Sequence, residues 1–255
     1  MNTFQLIVLS IVQGITEWLP ISSSGHLAII QHLFHLNVPV IFDILLHFGT
    51  IIAVLVFFKK EIAGIIGAIF KLDFRSEYGR LVIYIIIASI PTAIIGFLFK
   101  DFFESLFYNQ PAIGIALLLT GFILFFSSRK RGSKEISSWS AIVTGIVQGL
   151  AIIPGISRTG ATLSSGLFFG IDREKAARFS LLLSIPAILG ASVIDFNYKE
   201  IASIGVTNAI MGIIISAIVG FFAIKLLVNV LKNHKFHLFA YYCWIVGLLT
   251  ILFVK

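Results

Sequence analysis

Charge is what this chain has least of. Asp, Glu, Lys and Arg make up 12% of its 255 residues, roughly half the share a soluble domain carries. Such a chain cannot clothe a water-facing surface, and its 58% hydrophobic content marks a polytopic membrane protein. A soluble α/β barrel of this length would need polar outer helix faces, whereas these segments are apolar all round. Cysteine is almost missing: Cys243, in the last apolar segment, stands alone and excludes an intrachain disulfide. The opening MNTFQLIVLS lacks a basic n-region and a small-residue cleavage site, so it is expected to stay in the mature fold. The net charge of +7 resides in short connections between apolar runs and not on an aromatic-interleaved face. That argues for orientation in a membrane and against nucleic acid as a partner.

Apolar runs long enough to span, about 17 to 25 residues, occur at 38–58, 81–99, 111–127, 178–194, 207–228 and 238–254. Four shorter pieces, 3–19 with 27–36 and 139–153 with 161–171, each flank a polar stretch. A helix, a break and a short helix is the pattern of a re-entrant hairpin. Pro20 is expected to stop the first helix and the Ser22 to Ser24 run to cap the next. Pro154 and Gly155 play the same part in the second hairpin, with Ser157 or Thr159 as the cap.

The two halves repeat. Ile-Val-Gln-Gly occurs at 11–14 and 146–149, and the run from Phe42 aligns loosely with that from Phe179. Each half holds one hairpin and three spans, and an odd number of spans inverts the second half. The expected fold is therefore an all-α polytopic membrane protein with six transmembrane helices plus two re-entrant helical hairpins arranged as an inverted repeat. It forms a single membrane domain, 1–255, with repeats over about 1–128 and 138–255. Lys59, Lys60, Lys71, Arg75, Arg80, Arg129, Lys130, Arg131, Lys134, Arg173, Lys175, Arg178, Lys232 and Lys235 fall on one side. Lys100, Lys199 and Lys255 fall on the other. The positive-inside rule makes the first side cytoplasmic, so both termini and the first hairpin's opening face outward.

The polar stretches carry the chemistry. In the first, Gln13 and Glu17 are four apart and share a helix face; two hard oxygens there suit Mg²⁺ or Ca²⁺, with substrate phosphates completing the shell. A structural acid is the alternative for Glu17, although ionisable groups inside a membrane are usually functional. Ser22, Ser23 and Ser24 precede Gly25; one can cap the helix while another turns inward as nucleophile or phosphate ligand. His26, on the next turn, is close enough to Ser23 to act as base, or to attack directly; otherwise it is a satisfied interior residue. In the second stretch, Arg158 stands in a segment otherwise uncharged from Glu135 to Asp172. Its planar fork suits phosphate, and Ser157, Thr159, Gly160 and Thr162 surround it at a helix N-terminus that favours an anion. An Arg158–Glu17 ion pair fastening the hairpins is the structural alternative and is compatible with function. Asp43 and His47 form another i, i+4 pair at the start of a span, either near the site or merely interfacial.

At these residues the sequence resembles the undecaprenyl-diphosphate phosphatase family of the bacitracin-resistance type. Gln13, Glu17, Pro20, Ser22, Ser23, Ser24, Gly25 and His26 match its first signature. Pro154, Gly155, Ser157, Arg158, Thr159, Gly160, Ala161 and Thr162 match its second. Gln13 departs from the Glu found in many members, which leaves Glu17 as the indispensable acid. The soluble-type lipid phosphatase signature does not fit, because its upstream Lys/Arg-Pro element and downstream His-x-x-x-Asp are missing.

The resemblance implies a multi-pass plasma-membrane enzyme that hydrolyses undecaprenyl (polyprenyl) diphosphate to the monophosphate, recycling the lipid carrier for cell-wall polysaccharide synthesis. It further implies a divalent cation (Mg²⁺ or Ca²⁺) and bacitracin resistance. Glu17, Ser23, His26 and Arg158 are the expected catalytic set, Ser22, Ser24, Ser157, Thr159, Gly160 and Thr162 the substrate contacts, and Glu17 with Gln13 the cation ligands. The nucleophile is Ser23, His26 or a water. The chain is expected in the bilayer alone or as a homodimer. A polyprenyl-phosphate flippase or small-anion transporter with the same inverted repeat is the rival reading.

Overall fold

The structure, a computed structural model, describes residues 1–36, 38–130, 132–194 and 204–254. These form twelve α-helices and no strand; Lys134 and Ile171 make an isolated parallel bridge. Of the loop charges used above, Arg131, Lys199 and Lys255 lie outside the described residues.

The helix boundaries follow from local chemistry. Helix α1 (Thr3–Trp18) starts at a capping box, in which Asn2 and Gln5 satisfy one another's backbone N–H groups, and it stops just before Pro20. Helix α2 (Ser23–Leu33) is capped by Ser22. Helix α3 (Val40–Phe57) follows Pro39 and runs into α4 (Lys59–Phe70) through a bend of 83°. Ser76 caps α5 (Glu77–Leu98), the short α6 (Lys100–Leu106) follows, and Asn109 with Pro111 opens α7 (Gln110–Ser128). A Ser137–Ser140 capping box starts α8 (Ser138–Leu150), and Ser157 caps α9 (Arg158–Phe168). Helices α10 (Arg173–Ile194), α11 (Val206–Lys232) and α12 (Leu238–Phe253) complete the described chain.

The four short pieces expected from the sequence are thus α1, α2, α8 and α9. The six long runs coincide with α3, α5, α7, α10, α11 and α12. Four of these, α5, α7, α10 and α11, are long and apolar enough to cross a membrane, and the bent pair α3–α4 makes a fifth; α12 is apolar but shorter. Helices α4 and α6 were not expected. Helix α4 opens on Lys59, Lys60 and Glu61 and leaves an apolar run of only nine residues, and charges interrupt α6, so neither is long enough to mark a span.

The packing is inside-out relative to a water-soluble bundle. On α11, Ile210, Ile214, Ile218, Phe222 and Leu226 form an exposed stripe at i, i+4 spacing, while Ala209, Gly212, Ser216, Gly220 and Ala223 are buried. Large apolar groups outward and small ones inward is the arrangement that hydrocarbon solvent permits, because close backbone approach then supplies the cohesion. Helix α11 serves as a common seat for α1 and α3. A Cβ on Gly14 of α1 would lie 2.8 Å from Val219 and 3.0 Å from the Ser216 carbonyl oxygen. One on Gly49 of α3 would collide with the Ser216 hydroxyl and the Ile213 carbonyl. Elsewhere α8 packs against α5, and α7 against α12.

These contacts predict opposite signs for two glycine substitutions. Gly49→Ala should lower the thermal stability of the purified protein by an amount corresponding to about 1–3 kcal/mol, since the collision includes the Ile213 backbone carbonyl as well as the Ser216 hydroxyl. A Cβ on Gly67 of α4 meets nothing within 4 Å, so Gly67→Ala should leave stability unchanged or raise it by up to about 1 kcal/mol. Thermal unfolding followed by circular dichroism reads both.

Candidate active site

The two polar stretches, 133 residues apart at their point of contact, meet at the tips of the helix pairs α1–α2 and α8–α9. Ser22 makes the junction. It adopts φ 69, and its Oγ accepts hydrogen bonds from its own helix, at Gly25 N (3.3 Å), and from the other tip, at Gly155 N (3.1 Å). No side chain intervenes, because a Cβ on Gly25 would sit 3.0 Å from the Gly155 Cα. Gly155 itself has φ +96 and presses on the Ile113 carbonyl, a place where only glycine is unstrained. Thr120 of α7 braces the second tip: its hydroxyl donates to Gly155 O (3.0 Å) and accepts from Ser157 N (3.2 Å).

Glu17 lies at the centre of this junction, with its side chain 2% exposed. Oε1 is ion-paired with Arg158 Nη2. Oε2 accepts from Ser23 Oγ (2.6 Å) and from Gln13 Nε2 (2.9 Å), and His47 Nε2 lies 3.4 Å away. The backbone is tied as well, since Thr159 Oγ1 donates to Glu17 O at 3.1 Å. Arg158 is steadied by its second nitrogen, Nη1, which donates to Ser184 O on α10 (3.2 Å). A buried carboxylate is tolerable only when paired and hydrogen-bonded, and here each oxygen has its partner.

The sequence-predicted residues separate into those that reach this centre and those that support it. Glu17, Ser23, Gln13 and Arg158 come together. Ser22 and Ser157 are caps, the latter accepting from Gly160 N at 3.1 Å. Ser24 is half-buried with its hydroxyl 3.3 Å from that of Ser22. The Thr162 hydroxyl is turned to Arg158 O (2.8 Å) and to the Ser180 hydroxyl (2.5 Å) on α10. The His26 ring is engaged elsewhere: Nδ1 lies 2.7 Å from Ser22 O and Nε2 lies 2.8 Å from the Tyr242 hydroxyl, with the two rings stacked. A carbonyl only accepts, so Nδ1 carries hydrogen and, in the neutral ring, Nε2 accepts from the tyrosine. Ser23 hydrogen-bonds to Glu17 and not to this imidazole.

Tyr242 on α12 and Ser184 on α10 are partners that sequence reasoning missed. Tyr242 is 216 residues from His26, and nothing in an apolar span announces which hydroxyl will fold back on the site. His47 had a signal in its i, i+4 spacing from Asp43, but spacing alone did not say which way it faced.

Among the described residues no group of three or more His, Cys, Asp or Glu side chains forms a metal cluster. Single hard-oxygen donors are present, with Gln13 turning its Nε2 and not its Oε1 to the Glu17 carboxylate. Gln13 Oε1 is buried with no hydrogen-bond partner among the described residues, four residues from the Glu17 carboxylate. Two protein oxygens with phosphate and water completing the shell fit Mg²⁺, which keeps most of its ligands from outside the protein.

Comparison with known proteins identifies the relatives of this chain. A family described as bacitracin resistance protein BacA matches residues 6–249 and so takes in both tips. The chain is 44% identical to an undecaprenyl-diphosphatase of Halothermothrix orenii, over 99% of this chain and 98% of that one. It is likewise 44% identical to one from Carboxydothermus hydrogenoformans, over 100% and 98%. A third, from Methanosphaera stadtmanae, is 41% identical over 99% and 98%.

The buried ion pair has a stability signature. Arg158→Leu strands the Glu17 charge and should cost about 3 kcal/mol of folding stability. Adding Glu17→Gln to that variant removes the stranded charge and should recover part of the loss. Melting temperatures of the two single variants and the double variant make the check.

Proposed function

The chain belongs to the bacitracin resistance protein BacA family, and from that premise we propose that it is a membrane undecaprenyl-diphosphate phosphatase. It hydrolyses the lipid diphosphate to the monophosphate and inorganic phosphate, returning the carrier to cell-wall polysaccharide synthesis and conferring resistance to bacitracin. The observation that carries this reading is the meeting of Glu17 and Ser23 from one helix tip with Arg158 from the other. A carboxylate, a hydroxyl it can deprotonate and a phosphate-shaped cation, set where α2 and α9 begin, are what phosphoryl transfer asks of a protein. A transport protein with the same architecture has no need of a nucleophile hydrogen-bonded to a buried acid.

Ser23 is the nucleophile best supported by the hydrogen bonds. Its hydroxyl gives its proton to Glu17 Oε2 as Oγ attacks the terminal phosphorus. The bond from that phosphorus to the bridging oxygen breaks, and the prenyl monophosphate leaves with the electron pair. Water then attacks the phosphoserine, phosphate departs, and the proton on Glu17 returns to Ser23. Arg158 and the first turns of α2 and α9 receive the charge on the equatorial oxygens. Glu17 and Gln13 would hold a divalent cation, which would supply further charge neutralisation at the phosphate oxygens.

The proposed topology is six spans and two re-entrant hairpins in an inverted repeat, with the termini and the first hairpin's opening on the outer face. Reciprocal packing supports it: α1 of the first half lies on α11 of the second, and α8 of the second lies on α5 of the first. At one end of the bundle the basic residues gather with acids from both halves, in the pairs Arg178–Glu77, Lys175–Glu135 and Lys232–Glu174. That end is the cytoplasmic one by the positive-inside rule.

Three measurements test these readings. Purified protein should release phosphate from a C55 diphosphate in a chelator-sensitive reaction. Glu17→Ala, Ser23→Ala and Arg158→Ala should each lose at least about 1,000-fold in rate, and unchanged release in all three would overturn the site. A single turnover should trap phosphate on Ser23, whereas labelled water appearing in the product with no phosphoenzyme would rule the covalent route out. For topology, a membrane-impermeant thiol reagent added to right-side-out vesicles should label Tyr108→Cys and spare Lys134→Cys. Cys243, being buried, gives little background.

A further inference from the structure

We infer that His47 is a positioning residue of this active site, holding the Glu17 carboxylate in the orientation that accepts the Ser23 hydroxyl. The inference rests on the phosphatase reading above and adds to it a residue from α3, a helix outside both hairpins.

The geometry fixes one vertex of the imidazole and aims the other. Nδ1 lies 2.7 Å from the carbonyl oxygen of Asp43, one turn back on the same helix, and the Thr50 hydroxyl donates to His47 O at 2.8 Å. Asp43 is fixed in turn by Gln31 of α2, whose Nε2 donates to both carboxylate oxygens at 3.1 and 3.3 Å. The ring therefore cannot turn without losing Nδ1, and Nε2 is left facing Glu17 Oε2 at 3.4 Å. On Oε1 the counterpart is Arg158. Held from both ends, the carboxylate keeps Oε2 toward Ser23 Oγ, and a nucleophile that must meet phosphorus in line is sensitive to sub-ångström misplacement of its base.

Backbone packing sets the same alignment independently. Gly49, two residues beyond His47, and Gly14, three before Glu17, both close onto Ser216 of α11. The depth of His47 relative to Glu17 is thus registered on one stretch of a third helix, from Ile213 to Val219. His47, its side chain 28% exposed against 2% for Glu17, joins Ser23 and Gln13 on the oxygen that Arg158 does not pair with.

The test compares His47→Leu, which removes the polar vertex, with His47→Gln, whose amide can still offer an N–H to Glu17. Phosphate release from C55 diphosphate is measured in wild type, in both variants, and in each combined with Glu17→Gln. His47→Leu should lower kcat by about 10- to 100-fold with KM within about threefold and an unchanged melting temperature. His47→Gln should restore most of kcat, and neither change should matter further in the Glu17→Gln background. Wild-type kcat in His47→Leu, equal losses in the two variants, a loss confined to KM, or full additivity with Glu17→Gln would each overturn the inference. A readout free of turnover accompanies it. In protein labelled with ¹⁵N-histidine, the Nε2 resonance assigned by its disappearance in His47→Gln should move on Glu17→Gln, and a stationary resonance would refute the contact. Failure of wild type to release phosphate sinks the phosphatase reading alone, since the resonance judges the contact separately.

Discussion

A carboxylate inside a hydrocarbon layer persists only if the protein supplies its counter-charge and fills its lone pairs, and the arrangement around Glu17 is what supplying them requires. No single helix could do it. Gln13 is on the same helix, Ser23 is beyond the break, Arg158 comes from the far half of the chain, and His47 comes from a span. Bringing four elements to one point demands two chain breaks close enough to touch. That in turn demands Gly25 and Gly155 where a side chain would hold the tips apart. The backbone oddities, Ser22 at φ 69 and Gly155 at φ +96, are therefore traceable to the charge they surround.

The halves contribute unequally. Gln13 and Gln148 occupy corresponding places after Ile-Val, but the residue four beyond is Glu17 in one half and Ile152 in the other. Gln148 donates to Thr92 on α5, keeping a structural hydrogen bond where its counterpart faces a carboxylate. The tip that carries the acid also carries the hydroxyl, and the other carries the guanidinium. Opposite charges on the two tips also draw the halves of the chain together, so the Glu17–Arg158 pair is a fastening between them.

Much of this was legible because it depends on local chemistry. Pro20 and Ser22 bounded α1 and α2, and Ser157 capped α9, on rules that need only a few neighbouring residues. Glu17 and Arg158 stood out because charge is costly in apolar surroundings wherever the chain takes them. What was not legible depended on three-dimensional neighbours. The sequence places His26 three residues from Ser23, yet its ring pairs with Tyr242 on the last helix. The three serines look interchangeable as letters, but Ser22 joins the tips while Ser23 meets the acid. Helices α4 and α6 escaped notice because their apolar runs are too short to read as spans.

Helices α2 and α9 have 11 residues each. At about 1.5 Å per residue each is roughly 16 Å long, about half the hydrocarbon thickness of a bilayer. In the proposed topology their starting points therefore meet almost equidistant from the two leaflets. A headgroup held there has left its own surface without having arrived at the other. Sidedness is then decided by the route along which the prenyl tail enters and not by the chemistry at Glu17: in the proposed topology that route opens on the outer face.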